Sequence, residues 1–190
     1  MKKFKISVIG LGYVGLPLAL AFSKKQQVIG FDINKKRVND LNLGIDVFKD
    51  QKKKEIKRKK YLKIINKINE IISSDYFIIT VPTPVKKNNS PDLKSLINSS
   101  KIVGRSIKKG SIVIYESTVY PSCTEEICVP ILEKYSGLKF NKDFFCGYSP
   151  ERINVGDNKH KLENITKIVS GSNIATTNKI YNLYKKIIKA

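Results

Sequence analysis

Runs of apolar residues alternate with amphipathic segments along this chain, and the alternation predicts strands followed by helices. The predicted strands cover residues 5–9, 27–31, 76–81, 111–115, 144–148 and 167–170. The predicted helices cover residues 13–25, 34–43, 49–63, 92–107, 124–135 and 173–189, and the stretch from 64 to 74 is expected to be a short strand or turn followed by a helix. Continuously apolar strands between helices are typical of a parallel sheet covered on both faces, so we predict a doubly wound α/β fold.

The size of the chain favours a single domain. It has 190 residues, of which 41% are hydrophobic, and this is enough to bury one sizeable core. No internal repeat, low-complexity segment or linker interrupts it. Residues 1–190 are therefore expected to form one domain.

The strong positive charge leaves several partners open. There are 36 Lys and Arg against 16 Asp and Glu, for a formal charge of +20, which suits nucleic acid, an anionic membrane or an anionic small molecule. The densest basic run, residues 52–60, contains no aromatic residue for stacking on bases, so a solvated helix face is favoured over a nucleic-acid patch.

Nothing in the sequence predicts a membrane segment, a disulfide or a metal site. The uncharged stretch 6–22 contains three glycines, which would weaken a signal helix, and no other stretch approaches the roughly 20 apolar residues that span a bilayer. We therefore expect a cytoplasmic protein. Cys123, Cys128 and Cys146 are odd in number and lack CxxC spacing, so free thiols are favoured.

A glycine-rich motif points to a dinucleotide. Gly10, Gly12 and Gly15 follow a predicted strand and open a predicted helix, the context that distinguishes a binding motif from a chance match. Gly10 would permit the tight turn, Gly12 the approach of a pyrophosphate, and Gly15 close packing of the helix. The phosphates would lie at a helix N-terminus, where free amides and the helix dipole favour an anion.

The residues around this motif favour NAD. Asp32 ends the next strand, where a carboxylate can accept both ribose hydroxyls and would repel the 2′-phosphate of NADP. Arg37 could contact the adenosine side and leaves a little room for NADP. Thr83, just after the strand at 76–81, is expected at the carboxyl edge of the sheet, where ligands bind in open α/β folds.

Four blocks in a fixed order give the chain its resemblance to a known family. They are residues 10–15, 81–84 (Val-Pro-Thr-Pro), 116–121 (Glu-Ser-Thr-Val-Tyr-Pro) and 147–154 (Gly-Tyr-Ser-Pro-Glu-Arg-Ile-Asn). Over essentially its whole length the chain resembles the NAD-binding portion of the UDP-glucose/GDP-mannose dehydrogenase family of nucleotide-sugar 6-dehydrogenases. The residues of the last two blocks are most similar to those of the branch that acts on UDP-N-acetylhexosamines for bacterial surface polysaccharides.

The resemblance implies a Rossmann-like fold and a specific chemistry. The family oxidises the sugar C6 hydroxyl to a carboxylate with two hydride transfers to NAD, and the implied substrate is UDP-N-acetylglucosamine or UDP-N-acetylgalactosamine. The residues implied at the cofactor are Gly10, Gly12, Tyr13, Val14, Gly15, Asp32, Arg37, Thr83 and Thr118. Glu151 is implied beside the reacting carbon, with Arg152 and Ile153 at the substrate. A hydroxyl near a carboxylate can hold and activate the water that hydrolyses an acyl-enzyme, which suits Thr118 and Glu151 as catalytic residues.

The resemblance also implies what this chain does not supply. In the family, the thioester-forming cysteine and the lysine and asparagine that stabilise the oxyanion lie on a central helix and a second, UDP-sugar-binding domain. None of the three cysteines here matches that motif, and the last helix corresponds to the start of the connecting helix. We therefore expect this chain to bind NAD without completing the reaction alone, and the full-length family to form homodimers.

Two departures and two rival interpretations remain. Ser122 stands where the family usually has glycine, and Val155 where this branch usually has proline, so both loops are expected to differ locally.

A β-hydroxyacid-type dehydrogenase would share the first half of the chain, but the blocks at 116–121 and 149–154 argue against it. A basic Rossmann domain that binds NAD or nucleic acid without catalysis is the non-enzymatic alternative, and its nucleic-acid binding would weaken steeply with salt.

Overall fold

In the part of the chain that this computed structural model describes, the sheet has seven strands in the order β3-β2-β1-β4-β5-β6-β7. The structure describes residues 4–48, 53–57, 61–151 and 162–188. The strands are β1 Lys5–Ile9, β2 Gln27–Phe31, β3 Leu62–Ile65, β4 Tyr76–Ile79, β5 Ile112–Tyr115, β6 Phe145–Tyr148 and β7 Ser170–Gly171. Strands β1 to β6 are parallel and β7 is antiparallel to β6.

Helices cover both faces of the sheet. They are α1 Gly15–Ser23, α2 Lys35–Leu43, α3 Lys53–Lys57, α4 Lys94–Gly104, α5 Val129–Ser136 and α6 Ile174–Tyr184, with a π-helical turn Thr124–Cys128 leading into α5. Successive strand residues point to opposite faces, so Val8 packs in the core with α1 and α6 while Ile9 packs in the core with α4 and α5. The predicted doubly wound α/β fold is confirmed.

Two of the helix starts follow from local capping. The side-chain oxygen of Asn34 accepts a hydrogen bond from the backbone N–H of Arg37 at 3.2 Å, as the sequence predicts for the start of α2. Asn173 accepts from the N–H of Thr176 at 2.8 Å and begins α6. Gly44, at φ +81°, ends α2 in the left-handed conformation.

The predicted secondary structure is least accurate in the lysine-rich segment after α2. We predicted a helix over 49–63, but the described part of it contains only the short α3, and Leu62–Ile65 is strand β3, parallel to β2. Leu62, Ile64 and Ile65 are buried, so pairing with an existing sheet edge outweighs the helical preference of the neighbouring lysines. The 3₁₀ turn Ile68–Glu70 replaces the helix expected before Ser74.

The last strand is shorter than predicted and runs the opposite way. Residues 167–169 lie outside the sheet, and only Ser170–Gly171 pairs, with Gly147 and Tyr148. A Cβ on Gly147 would lie 2.7 Å from the carbonyl oxygen of Ser170, so the glycine permits this close approach. The sheet is therefore parallel with one antiparallel edge strand.

The departure at Ser122 falls on a special backbone conformation. Ser122 has φ +67°, in the left-handed region that glycine adopts without steric cost. A serine in place of the family's usual glycine thus introduces local strain in the turn before α5. The other departure, Val155, lies outside the described residues.

Helices long and apolar enough to cross a membrane are absent from the described residues.

Candidate functional site

A cavity of about 420 Å³ opens along the carboxyl edge of the parallel strands. The segments that follow β1, β2, β4, β5 and β6 all contribute to its wall. Its lining consists of residues 10–14, 80–83 and 116–118 with Asp32, Asn34, Arg37, Val47, Phe48 and Glu151. This edge is where ligands bind in open α/β sheets, so the cavity is the candidate site.

The glycines of the first loop have three different physical roles. Gly10 has φ +93°, which allows the chain to turn sharply after β1. A Cβ on Gly15 would lie 1.9 Å from the carbonyl oxygen of Gly10 and 2.5 Å from the hydroxyl of Thr80, so no side chain fits there. A Cβ on Gly12, by contrast, would meet no described atom within 4 Å, although Gly12 lines the cavity. The bare backbone at Gly12 is thus open to a ligand.

Thr80 holds the glycine loop in place, a role that the sequence did not reveal. Its hydroxyl, at the end of β4, donates to the carbonyl oxygen of Gly10 at 2.7 Å. The only sequence signal is a hydroxyl residue that follows an apolar strand and precedes the block at 81–84. Helix α1 begins directly after the loop, and no side chain of the described residues caps its N-terminus. In its first turn Pro17 has no N–H and the Leu16 N–H donates to Gly12, so the helix dipole, together with the loop backbone that precedes α1, favours an anion.

Asp32 lies beside this loop with its carboxylate held by the backbone. One carboxylate oxygen accepts from the N–H of Leu11 at 2.8 Å and the other from the N–H of Asn34 at 2.9 Å. Each oxygen retains further acceptor capacity. A fixed carboxylate at the end of β2, lining the cavity, has the placement that ribose hydroxyls need.

Arg37 also lines the cavity, but its charge is already paired. Its Nε donates to the carbonyl oxygen of Leu11 at 2.9 Å, and a terminal nitrogen contacts Asp46 at 2.8 Å. The Phe48 ring lies 4.9 Å from the guanidinium carbon. Asp46 and Phe48 were not predicted, because they follow α2 in a segment without a recognisable motif. The pairing with Asp46 reduces the positive charge that Arg37 could offer to a 2′-phosphate.

Two hydroxyl groups join the segments after β4 and β5. The Thr83 hydroxyl donates to the carbonyl oxygen of Thr118 at 2.6 Å, and the Ser117 hydroxyl donates to the carbonyl oxygen of Val81 at 2.6 Å. Thr83 and Thr118, both expected at the cofactor, are therefore brought side by side. Thr118 is exposed where it lines the cavity.

Buried ionisable groups meet where Glu151 enters the cavity wall. The ammonium of Lys167 lies 2.7 Å from a carboxylate oxygen of Glu116 and 3.3 Å from one of Glu151. The Tyr184 hydroxyl donates to the other oxygen of Glu116. Burial raises the pKa of Glu116 to about 7, and the charge of Glu151 adds to this shift, although Lys167 opposes it.

Of these four residues, Glu151 was predicted from the sequence. Glu116, Lys167 and Tyr184 were not. Glu116 belongs to the block at 116–121 and follows a buried strand, so an acid at that position was visible but received no role. Lys167 and Tyr184 carry no local signal, since they are one lysine among many and one residue of an amphipathic helix.

The remaining candidates are either outside the described residues or away from the cavity. Arg152 and Ile153, expected at the substrate, lie outside the described part of the chain. Within it, no cysteine lines the cavity. Burial raises the pKa of the Cys128 thiol to about 12, which disfavours a thiolate nucleophile. The described residues contain no cluster of three or more His, Cys, Asp or Glu that could hold a metal ion.

The cavity therefore fits a dinucleotide. A glycine loop with bare backbone at Gly12, an uncapped helix N-terminus and a carboxylate at the next strand match a pyrophosphate and its adjacent ribose. A family model, the NAD binding domain of the UDP-glucose/GDP-mannose dehydrogenase family, matches residues 4–188.

Individual relatives agree with this match. The chain is 53% identical over 186 residues to a UDP-N-acetyl-D-glucosamine 6-dehydrogenase of Salmonella typhi, covering 98% of this chain and 44% of that relative. It is 50% identical over 190 residues to the enzyme of the same name from Pseudomonas aeruginosa, covering 100% of this chain and 45% of that relative. A solved structure of a UDP-D-ManNAc dehydrogenase from Pyrococcus horikoshii is similar at 32% identity with a TM-score of 0.88, over 98% of this chain and 45% of that one. This chain thus spans less than half the length of the relatives it matches.

Proposed function

This chain belongs to the UDP-glucose/GDP-mannose dehydrogenase family as its NAD-binding domain, and we propose that it is the cofactor half of a UDP-N-acetylhexosamine 6-dehydrogenase. One observation carries the proposal. The cavity has the elements for a dinucleotide, the glycine loop and Asp32, and the candidate catalytic pair Thr118 and Glu151 on the same edge of the sheet. The relatives that are named UDP-N-acetyl-D-glucosamine 6-dehydrogenases support the sugar class.

The residues of the cavity have distinct tasks in this proposal. The backbone at Gly12 and the N-terminus of α1 hold the pyrophosphate, and Asp32 accepts the hydroxyls of the adenosine ribose. We call the part of the cavity beside Asp32 the adenosine end and the part beside Glu116 and Glu151 the nicotinamide end. When bound, NAD supplies the hydride acceptor for the oxidation of the sugar C6 hydroxyl.

Thr118 and Glu151 act at the nicotinamide end. The exposed hydroxyl of Thr118 and the carboxylate of Glu151 both line the cavity, where together they can hold a water molecule and accept its proton during hydrolysis of an acyl intermediate. Arg152 and Ile153, directly after Glu151 in the chain, contact the sugar nucleotide in this proposal.

The wider context belongs to the same proposal. The enzyme works in the cytoplasm as a homodimer and supplies uronic sugars for surface polysaccharides. Its substrate is UDP-N-acetylglucosamine or UDP-N-acetylgalactosamine. The alternative of a basic domain that binds nucleic acid is not favoured, because the chain matches the dehydrogenase family over nearly its full length.

The test is calorimetric titration of the 190-residue chain with NAD and NADP. We expect saturable binding of NAD, weaker binding of NADP, and loss of NAD binding in Asp32→Ala. Asp32 both accepts a hydrogen bond from Leu11 and carries a negative charge. Asp32→Asn separates these two tasks, since its amide oxygen can still accept from Leu11 but carries no charge. Asp40→Asn, on helix α2 and outside the cavity lining, is the matched control for loss of one acid.

Adding either UDP-N-acetylhexosamine to the NAD-loaded chain completes the test. We expect no NADH, because the family's nucleophile is not among the residues that line the cavity. Steady NADH formation would show that the catalytic residues are misassigned. Failure of NAD to bind would overturn the proposed function itself.

A further inference from the structure

Four ionisable side chains from four parts of the chain meet below the nicotinamide end. They are Glu116 after β5, Glu151 after β6, Lys167 before β7 and Tyr184 in α6, and we call them the buried charge cluster. Lys167 links the two carboxylates at 2.7 and 3.3 Å, and Tyr184 donates to Glu116. Glu116 and Glu151 line the cavity directly.

The cluster is deeply buried. The side chains of Glu116, Lys167 and Glu151 are 0%, 5% and 10% exposed, and Tyr184 is 2% exposed. One ammonium cannot neutralise two carboxylates, so the fully ionised cluster carries a net negative charge in a medium that solvates charge poorly. The cluster is therefore driven either to bind a proton or to attract a cation.

Glu116 is the group that exchanges this proton. Among the described residues, the ionisable groups that face it are Lys167, Glu151 and Tyr184, and their effects compete. Burial and the charge of Glu151 raise the pKa of Glu116, whereas Lys167 and the Tyr184 hydrogen bond lower it, with a net value of about 7. Near neutral pH the cluster is thus part protonated, and a modest change in nearby charge will shift its protonation.

The strand order places the cluster where the nicotinamide must lie. The glycine loop follows β1 and Asp32 follows β2, so a dinucleotide with its pyrophosphate at the loop places its adenosine toward β2. Its other half then extends in the opposite direction, over β4 and toward β5, whose end carries Glu116. Neighbouring strands are only about 4.8 Å apart, so this span is within the length of a dinucleotide.

The nicotinamide ring is cationic in NAD⁺ and neutral in NADH, and this difference is what the cluster can detect. We propose that the buried charge cluster makes this domain prefer the oxidised cofactor, because the positive ring displaces a proton from Glu116 and the neutral ring does not. This inference rests on the proposed function, in that NAD binds in this cavity.

A consequence for the reaction follows from the same charges. The substrate hydroxyl gives up one proton for each hydride that leaves its carbon, and the ring loses its positive charge in the same step. Glu116, ionised while the ring is positive, regains its affinity for a proton when the charge disappears. The cluster is therefore placed to take up the proton that the oxidation releases.

The experiment compares NAD⁺ and NADH binding to the 190-residue chain by calorimetry at several pH values. The two cofactors share the adenosine and pyrophosphate, so the ratio of their dissociation constants isolates the effect of the ring. A positive charge near a carboxylate lowers its pKa by roughly one unit or more. We expect the preference for NAD⁺ over NADH to increase about three- to tenfold from about pH 6 to about pH 8. In two buffers of different ionisation enthalpy, NAD⁺ binding near neutral pH should release a fraction of a proton and NADH binding should release less.

Three variants assign the effect to the cluster. Glu116→Gln keeps a partner for Tyr184 and should bind both cofactors with a pH-independent ratio and no proton release. Lys167→Gln removes the charge that lowers the pKa of Glu116, so the same transition should move to higher pH. Glu126→Gln removes one exposed acid outside the cavity lining and should behave like the parent chain.

The outcomes separate this inference from the proposed function. If both cofactors bind but their ratio does not depend on pH, or if Glu116→Gln retains the dependence, the cluster does not sense the ring. If neither cofactor binds the parent chain, the proposed function fails and this inference fails with it. The inference is supported if the pH-dependent change in the preference for NAD⁺ over NADH disappears in Glu116→Gln and moves to higher pH in Lys167→Gln.

Discussion

At the adenosine end, the groups that face the cavity come from one continuous stretch, residues 10–48, and are held mainly by backbone hydrogen bonds. Asp32 accepts from Leu11 and Asn34, and Arg37 donates back to Leu11. At the nicotinamide end, Glu116, Lys167 and Tyr184 lie up to 68 residues apart and are held by one another's charges and hydrogen bonds.

The difference shows two ways of building a binding site. Local geometry places the adenosine end, where Asp32 is half-buried and the buried charge of Arg37 is balanced by the single carboxylate of Asp46. Burial produces the chemistry of the nicotinamide end, because the same carboxylate in water would not hold a proton near neutral pH. Substitutions at the nicotinamide end should therefore change the charge and the pH dependence of the site. Substitutions at the adenosine end should change the geometry of the loop or the choice of cofactor.

The largest effect is expected from Lys167→Met. Removing the only cation of the buried charge cluster leaves Glu116 and Glu151 facing each other, which should cost about 3–5 kcal/mol of unfolding free energy at about pH 8. The loss should be smaller at low pH, where a protonated Glu116 relieves the repulsion. Denaturant unfolding measures it, with the exposed Lys142→Met as control. A loss of unfolding free energy below about 1 kcal/mol would mean that this ion pair is no stronger than a typical surface pair. The two ends of the cavity would then not differ in the strength of their buried charges.

Glu116→Gln should change how stability depends on pH. The pKa of Glu116 is raised from 4.5 to about 7 in the folded chain, so its proton stabilises the fold below about pH 4.5, and this contribution is lost as the pH rises through about 7. The parent chain should lose about 3 kcal/mol relative to Glu116→Gln over this window, and the difference should be constant above it. Unfolding curves across this pH range measure it, with Glu126→Gln as control. Parallel curves for the parent chain and Glu116→Gln would contradict the raised pKa.

Gly15→Ala and Gly12→Ala form a matched pair in the glycine loop. The added methyl at Gly15 meets the backbone of Gly10, so we expect about 1–3 kcal/mol of destabilisation and weak NAD binding. The methyl at Gly12 meets no described atom and should leave stability nearly unchanged while it blocks the pyrophosphate. Thermal unfolding and NAD titration separate the two. Unimpaired NAD binding by Gly12→Ala would mean that the phosphates lie elsewhere.

The smallest effect on cofactor binding is expected from Asp46→Asn at the adenosine end. Loss of this carboxylate frees the charge of Arg37, so binding of NADP should improve relative to NAD by several-fold, on the order of 1 kcal/mol. Titrations with both cofactors measure the ratio, with Asp40→Asn as control. An unchanged ratio would assign the discrimination to Asp32 alone.

Particular elements show how far sequence reasoning reached. The strands β1 and β2 and the cap at Asn34 were predicted because apolar runs and capping side chains act over a few residues. From residue 64 a short strand or turn was predicted, but Leu62 and Lys63 were assigned to the helix because they end a lysine-rich run. Pairing with the edge of β2 makes all of Leu62–Ile65 a strand. The antiparallel edge strand β7 has no local signal either, since it depends on pairing with the distant β6, where Gly147 permits the close approach.

Three features follow from the amino-acid sequence alone: the alternation of strands and helices, the glycine loop and the acid at the end of β2. These features act over short distances, through backbone conformation and the spacing of apolar residues. Three other properties become visible in the folded chain: Thr80 fixes the loop, Asp46 neutralises Arg37, and Lys167 lies between two buried carboxylates. Those properties depend on which distant side chains share a buried space, and the strength of a charge there is set by the water that folding excludes.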